Sequence, residues 1–312
     1  MRVLVTGASG FVGSHVTQAL VEAGLEVGVG LRATSDPRWL RGLPVAQHVL
    51  DLDAPQPLAR ALDGVEVVVH AAGITRAAHA NDYARVNAEG TRRLLHAAVA
   101  AGVRRCVLIS SLAARGPDRP PSDLSPYARS KLEAERIAAA LRGQLEIAAL
   151  RVAGVYGPRD TDLLPLFRLA RRGVLLLPPR HGRLQPVYAG DVADLVARIV
   201  VQPIGFGPWP VAEARSYGWD ELARLLGAAL GTRVRAAHAP RAVFVAAALA
   251  SEGLGSLRRR PSVLDRRRAL DLTASYTCDT TATEAASGWR ARVELADGLE
   301  RTVAWYRASG WL

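Results

Sequence analysis

Thr6-Gly7-Ala8-Ser9-Gly10-Phe11-Val12-Gly13 stands between a short apolar run, Arg2–Thr6, and a longer amphipathic one, Gly10–Ala23. Glycines at 7, 10 and 13 have distinct uses at such a junction. The first permits a tight turn, the second lets the backbone approach a ligand, and the third lets the helix pack closely on the strand. The helix that follows offers unpaired N–H groups and a partial positive charge at its start. Strand, glycine turn and helix in that order predict a cradle for a pyrophosphate, and a dinucleotide fits it.

Working outward, β-branched runs alternate with alanine- and leucine-rich stretches. Strands are expected at Arg2–Thr6, Glu26–Leu31, Gln47–Leu50, Val65–His70, Arg105–Ser110 and Glu146–Val152. Helices are expected at Gly10–Ala23, Asp82–Ala101 and Pro126–Arg142, with Gly102 as the stop of the second. This alternation predicts an α/β fold, a doubly wound parallel sheet of the Rossmann type, over residues 1–156. After Gly157 a Pro- and Arg-rich stretch precedes helix-like segments at Asp191–Val201, Tyr217–Leu230 and Arg241–Ser251. Residues 157–312 are therefore expected to form a smaller substrate-binding region, with about 187–211 returning to the sheet.

Composition narrows the classes. The chain has 312 residues, 49% hydrophobic content and a net charge of +11. No apolar run approaches the roughly 18–20 residues of a membrane span, and the Ala242–Ala250 run is bounded by Arg241 and Glu252. No basic leader with an apolar stretch and a small-residue cleavage site opens the sequence, so a cytoplasmic location is expected. Cys106 and Cys278 provide no disulfide framework, and no Cys/His cluster has zinc-ligand spacing, so no metal is expected. The arginine triplets at 258–260 and 266–268 lack interleaved aromatics and any nucleic-acid motif, which favours a solvated helix face over nucleic-acid binding.

The second strand ends at Leu31-Arg32, with no carboxylate before Asp36. A carboxylate there would bind a ribose 2′-hydroxyl, whereas a guanidinium pairs with a 2′-phosphate, so NADP is expected over NAD. Asp51, ending the third strand, reads either as an adenine ligand or as an ordinary turn residue. The fourth strand runs into His70-Ala71-Ala72-Gly73, whose small residues leave room over the strand ends.

Of 40 Lys plus Arg residues one is a lysine, Lys131. It lies four residues after Tyr127 on a helix begun by Ser125 and Pro126, so the two share a face. A nearby ammonium favours the ionised phenol and makes Tyr127 a usable acid/base near neutral pH. Ser110 and Ser111 end the fifth strand, at the sheet edge where open α/β folds bind ligands.

The ordered motifs TGASGFVGSH, HAAG, RVNAEGTRRLL, SSLAARG, PYARSK, LRVAGVYGP and PVYAGDVA, with the tail from Gly288, resemble those of an extended short-chain dehydrogenase/reductase, in the group called NAD-dependent epimerase/dehydratases. The resemblance covers essentially the whole chain. It implies Ser111 as catalytic serine, Tyr127 as acid/base, and Lys131 as its partner and a nicotinamide-ribose ligand. It implies Gly7, Gly10, Phe11, Val12 and Gly13 at the pyrophosphate, Asp51 and Leu52 at the adenine, Ala71, Ala72, Gly73 and Asn87 along the cofactor, and Val155 near the nicotinamide. Homodimerisation through the helices at 82–101 and 126–142 is a further implication.

Departures from that pattern point to the substrate. Gly154 stands where nucleotide-sugar members commonly have asparagine, and Leu184 where they have a diphosphate-binding arginine, with Arg183 one place off. Leu112-Ala113 replaces the Asp-Glu pair of the dehydratases and cannot take part in proton elimination. Dihydroflavonol-reductase-like and 3β-hydroxysteroid-dehydrogenase-like relatives tolerate Leu112-Ala113 at this position and act on apolar ketones or alcohols. The expected function is NAD(P)(H)-dependent oxidation or reduction of a small, mostly apolar carbonyl or secondary alcohol. A sugar epimerase with tightly held NAD is the alternative, and a non-catalytic cofactor-binding regulator the third reading.

Overall fold

The computed structural model describes residues 1–77, 79–115, 124–180, 182–240, 242–244, 246, 249 and 276–312. Its strands are β1 (Arg2–Thr6), β2 (Glu26–Leu31), β3 (Val45–Val49), β4 (Val67–His70), β5 (Arg105–Ser111) and β6 (Glu146–Val152), followed by β7 (Val155–Tyr156), β8 (Val174–Leu177), β9 (Arg183–Leu184), β10 (Val187–Tyr188), β11 (Trp209–Val211), β12 (Tyr217–Gly218) and β13 (Arg235–His238). The main helices are α1 (Phe11–Glu22), α2 (Pro55–Ala61), α3 (Ala80–Tyr83), α4 (Gly90–Ala100), α5 (Pro126–Leu141), α6 (Leu164–Arg171), α7 (Ala189–Val201) and α8 (Trp219–Leu230), with Thr281–Ser287 and Leu295–Ala308 near the C-terminus.

Seven strands form one parallel sheet in the order β3-β2-β1-β4-β5-β6-β11. The chain reverses direction across the sheet between β1 and β4, which opens the crevice where ligands of doubly wound folds bind. Both sheet faces are covered, so the strands read as continuous apolar runs. Val3, Val5, Val67 and Val69 point to one cluster with Val16 and Leu20 of α1 and Val192 and Val196 of α7. Leu4, Val68, Cys106 and Leu108 point to the opposite cluster with Leu94 and Leu95 of α4 and Ile137 of α5. A one-residue slip of β1 would exchange those faces, and burying each such side chain contributes about 1.5–3 kcal/mol, so the register is strongly fixed. A third cluster joins Phe167, Leu175, Leu177, Leu226, Leu299 and Tyr306 in the C-terminal lobe.

Several elements differ from the sequence expectation, among them β4, which starts at Val67 rather than Val65, and α7, which starts at Ala189 rather than Asp191. The helix expected over Asp82–Ala101 is α3, a π-helical segment Ala84–Glu89, and α4. Tyr217–Gly218, expected to begin a helix, pairs instead with Arg183–Leu184, and α8 starts at Trp219. β3 begins at Val45, two residues before the expected start, because its register with β2 runs from Val27↔Val45 to Leu31↔Val49. Both arginine triplets and most of the expected Arg241–Ser251 helix lie outside the described residues. No described helix is long and apolar enough to cross a membrane.

Candidate active site

The glycine turn closes as its spacing requires. Gly7 has φ 73°, and its carbonyl accepts the Gly10 N–H at 3.0 Å. A Cβ on Gly7 would stand 2.6 Å from the Ala71 and Ala72 backbone, so β1 and β4 exits touch only because this residue has no side chain. A Cβ on Gly13 would collide with the Gly7 carbonyl, so α1 is seated on the turn. Gly10 is the N-cap, with no side-chain cap and no acid in the first turn. The N–H groups of Phe11, Val12 and Gly13, which a helix cannot satisfy internally, therefore face an electropositive cradle fitted to an anion.

At the end of β2, Arg32 is exposed, and its amide donates to Ser35 Oγ at 3.0 Å. Asp36, the next carboxylate, is engaged by Arg38 Nε at 2.7 Å, and that partner holds its carboxyl below the usual range. The exit of β2 thus carries one accessible guanidinium and one carboxylate already paired with an arginine. Asp51 Oδ1 accepts the Asp53 N–H at 2.9 Å in the turn at the strand end. Leu52 lies against Gly90, and its carbonyl accepts Arg93 Nε at 2.6 Å.

Past β4, the cradle is tied together by a directional chain of buried hydroxyls and one imidazole. Thr91 Oγ1 donates to the Asn87 carbonyl at 2.6 Å, so its single proton is spent and His70 Nε2 must donate to it at 2.9 Å. The other nitrogen, Nδ1, accordingly accepts from Thr6 Oγ1 at 2.7 Å. Burial, with the nearby Lys131 charge, pulls His70 down to about 3 and keeps the ring neutral. Asn87 sits in the π-helical segment and clamps Ile74 on both sides, accepting its N–H at 2.8 Å and donating to its carbonyl at 3.0 Å. Its Nδ2 also donates to Ser130 Oγ at 3.0 Å on α5.

Helix α5 starts where Ser125 Oγ accepts the Ala128 N–H at 3.1 Å, with Pro126 in the first turn. One turn on, Lys131 Nζ donates to the Ile109 carbonyl at 2.9 Å, two residues before Ser111. A Cβ on Gly73 would stand 3.0 Å from Asn87 Oδ1 and 3.4 Å from Lys131 Nζ, so the glycine keeps room above both groups. Desolvation lowers Lys131 to about 8, opposed by the Glu135 carboxylate. The Tyr127 ring meets Tyr83 edge-on at 6.0 Å.

The two serines are not equivalent. Ser110 Oγ donates to Glu135 Oε1 at 2.5 Å, and Arg151 of β6 grips the same buried carboxylate through Nε and Nη2. Ser111 Oγ accepts the Ala113 N–H at 3.2 Å, and among the described residues its own proton has no acceptor. The sequence motifs do not single out Glu135 or Arg151. Glu135 lies four residues after Lys131 on the same helix face, and that spacing was the available signal.

The ends of β5, β6 and β11 continue into Leu112, Ala153 and Ala212, an apolar cluster joined by Tyr276 and Cys278. A Cβ at Gly154 would meet nothing within 4 Å, so this position is open. Val155 pairs with Val187 beside it. The polar groups beyond are committed elsewhere. Arg183 donates to Ser216 Oγ at 2.9 Å and to its carbonyl at 2.6 Å, and the Gln185 amide links Glu213 and Cys278. Glu213, buried against Tyr217, is raised to about 7 chiefly by desolvation.

The geometry therefore gathers Ser111, Lys131, Gly73 and Asn87 around the exits of β4 and β5, with the glycine turn against β4. Arg32 and Asp51 lie at the exits of β2 and β3. Comparison with known proteins matches residues 3–206 to the NAD dependent epimerase/dehydratase family. A ceramide reductase of Caulobacter vibrioides is 34% identical, covering 99% of this chain and 96% of its own. A UDP-glucose 4-epimerase of Mycolicibacterium smegmatis is 30% identical over 98% of this chain and 99% of its own. Among solved structures, a dTDP-glucose 4,6-dehydratase from Streptomyces venezuelae with NAD bound superposes with a TM-score of 0.80 at 29% identity, covering 100% of this chain and 98% of that one.

Proposed function

The chain belongs to the NAD-dependent epimerase/dehydratase family, and on that premise we propose that it is an NADP(H)-preferring reductase of an apolar, long-chain ketone, working reversibly on the corresponding secondary alcohol. The observation that carries this reading is the pairing of an acid/base helix, Tyr127 and Lys131 on α5, with an apolar lining that begins at Leu112, directly after Ser111. Gly7, Gly10, Phe11, Val12 and Gly13 would hold the pyrophosphate, Arg32 the 2′-phosphate, Asp51 and Leu52 the adenine, Ala71 to Gly73 and Asn87 the central part, and Lys131 and Val155 the nicotinamide end. The bound cofactor supplies or accepts the hydride.

The protein's own groups handle the oxygen. Ser111 donates its unspent hydroxyl proton to the substrate carbonyl and orients it. Tyr127 gives its phenolic proton to that oxygen as charge develops there, and the Lys131 ammonium stabilises the resulting phenolate. The Ile109 carbonyl aims the ammonium, so little reorganisation accompanies the step. Similarity to a ceramide reductase along nearly the full chain supports a lipid ketone over a small one.

An epimerase reading draws on the similarity to the UDP-glucose 4-epimerase. Against it stand the open, amide-free position at Gly154 and the commitment of Arg183 to Ser216. Stabilisation by NADPH and NADH, crossed with long-chain ketones and sugar nucleotides, separates the two. The expected result is stabilisation by NADPH beyond NADH, ketone-dependent oxidation of NADPH, and loss of about 10²–10⁴-fold of that turnover in Tyr127→Phe with NADPH binding retained. Stabilisation by sugar nucleotides alone, or full turnover in Tyr127→Phe, contradicts the proposal.

A further inference from the structure

The buried hydrogen bonds past β4 do not stop at the cofactor cradle. Traced from the glycine turn, they begin at the Ala72 N–H, which donates to Thr6 Oγ1 at 3.4 Å, and Thr6 Oγ1 donates in turn to His70 Nδ1 at 2.7 Å. His70 Nε2 donates to Thr91 Oγ1 at 2.9 Å, and the Thr91 proton goes to the Asn87 carbonyl at 2.6 Å. From the same residue, Asn87 Nδ2 donates to Ser130 Oγ at 3.0 Å, and Ser130 Oγ donates to the Tyr127 carbonyl at 2.7 Å. The two ends are different parts of the site. Thr6 immediately precedes Gly7, whose missing Cβ lets the turn touch Ala71 and Ala72, while Tyr127 stands in the first turn of α5.

Two properties set this series apart from ordinary core hydrogen bonds. Its direction is fixed throughout, because each hydroxyl has one proton and the Ile74 N–H claims Asn87 Oδ1 as its acceptor. Every donor therefore points from the glycine turn toward α5, and a break at one link cannot be healed by turning its neighbour around without leaving another donor unmatched. Water cannot heal it either. Thr6, His70, Asn87, Thr91 and Ser130 come from β1, β4, the π-helical segment, α4 and α5, and none is more than 3% exposed. Burial keeps His70 neutral, so it supplies the one donor and one acceptor that the series uses. Apolar side chains of the same shapes would fill this space at little cost in stability, so the polar series exceeds what the fold alone requires.

We infer that Thr6, His70, Thr91 and Ser130 are positioning residues for the proposed reaction: a dinucleotide seated on the glycine turn fixes Gly7 and Ala72, and the series carries that placement to the Tyr127 backbone, which aims the phenol. The role of Tyr127 rests on the functional reading above; the link from turn to helix rests on the hydrogen bonds alone.

Kinetics of the full chain with a short, water-soluble ketone and NADPH test the first part. Thr6→Val and Ser130→Ala should each lower kcat roughly tenfold or more, with the ketone KM within about twofold. The double variant should lose no more than the larger single loss, since either break interrupts the same series. Thr6→Ser restores the hydroxyl and should restore kcat. Single losses that multiply in the double variant overturn the inference, as does a lowered Tm with kcat intact. Amide hydrogen exchange tests the link without turnover. The probe is adenosine 5′-diphosphate, with or without a 2′-phosphate, whichever stabilises the chain; it reaches the turn but has no nicotinamide end to touch α5. It should slow exchange of the Ala128 to Lys131 amides in the native chain and not in Thr91→Val. No slowing in the native chain, or equal slowing in both, overturns the inference. Slowing in the native chain alone, in a protein that reduces no ketone, would uphold the link and sink the functional reading instead.

Discussion

Lys131 works at an electrostatic compromise set by its neighbours. Desolvation favours the neutral amine and brings it to about 8, while Glu135, four residues on, favours the ammonium. Glu135 is itself fixed by Ser110 and by the two-pronged grip of Arg151, so the compensating charge cannot move away. Replacing it by glutamine keeps the shape but removes the charge, and leaves the Arg151 guanidinium as a second unmatched cation. In Glu135→Gln the lysine should lose its proton at lower pH than in the native chain. The measurement is cofactor affinity across pH. In the native protein it should weaken as pH passes about 8, and in Glu135→Gln it should weaken earlier, by up to roughly tenfold at fixed pH for each unit the lysine drops. An unchanged pH profile with a lowered melting temperature would mean that Glu135 only holds α5 to β6. Tyr127 and Lys131 were legible because a four-residue spacing on one helix defines a face. Glu135 shares that spacing, yet its role depends on Arg151 from another strand, and nothing local to the helix announces that partner.

At the scale of elements, what the sequence disclosed divides along the same line between local and distant causes. β1, β2 and β6 begin and end as expected, since their apolar runs are bounded by turn residues and buried on both faces. The π-helical segment Ala84–Glu89 was not legible, because it contains no glycine or proline and keeps a helical composition. Its widened turn is held by the Asn87 clamp on Ile74, a contact across 13 residues. Tyr217–Gly218 likewise became a strand through pairing with β9. The ribbon of β8 and β13 has its own pH-dependent fastening. His238 Nδ1 lies 2.6 Å from the Pro178 carbonyl and Nε2 lies 2.7 Å from Asp220 Oδ1, so both nitrogens face acceptors and both must carry protons. Hydrogen bonding to Asp220 accordingly raises His238 above its ordinary value and lowers Asp220. A group raised on folding contributes its stability below its unfolded value of about 6.5 and loses it as pH rises through the folded one. The melting temperature of the native chain should exceed that of His238→Gln at mildly acidic pH, and the gap should close on the alkaline side. A gap that widens with rising pH would contradict the charged clamp.

Across the whole molecule, the sheet supplies a floor whose strand exits carry the glycine turn, helix α5 and the apolar cluster of Leu112, Ala153 and Ala212. That organisation was readable from the first half of the chain, where each strand and helix is long enough to declare its period. The C-terminal lobe was less readable, since its two-residue strands β7, β9, β10 and β12 exist only through partners far away in sequence. The division matters for the proposed function, because the residues proposed to hold the cofactor lie in the legible half and those proposed to select the substrate lie largely in the other. The central claim is that hydride leaves the cofactor for a long-chain ketone and stays in the released alcohol. The direct measurement is mass spectrometry of the product formed from such a ketone with NADPH deuterated at the transferable position. The reductase account predicts an alcohol heavier by a single deuterium, formed with matching loss of NADPH and nearly absent in Tyr127→Phe. No labelled alcohol from any long-chain ketone, together with interconversion of sugar nucleotides without net consumption of the cofactor, would contradict it.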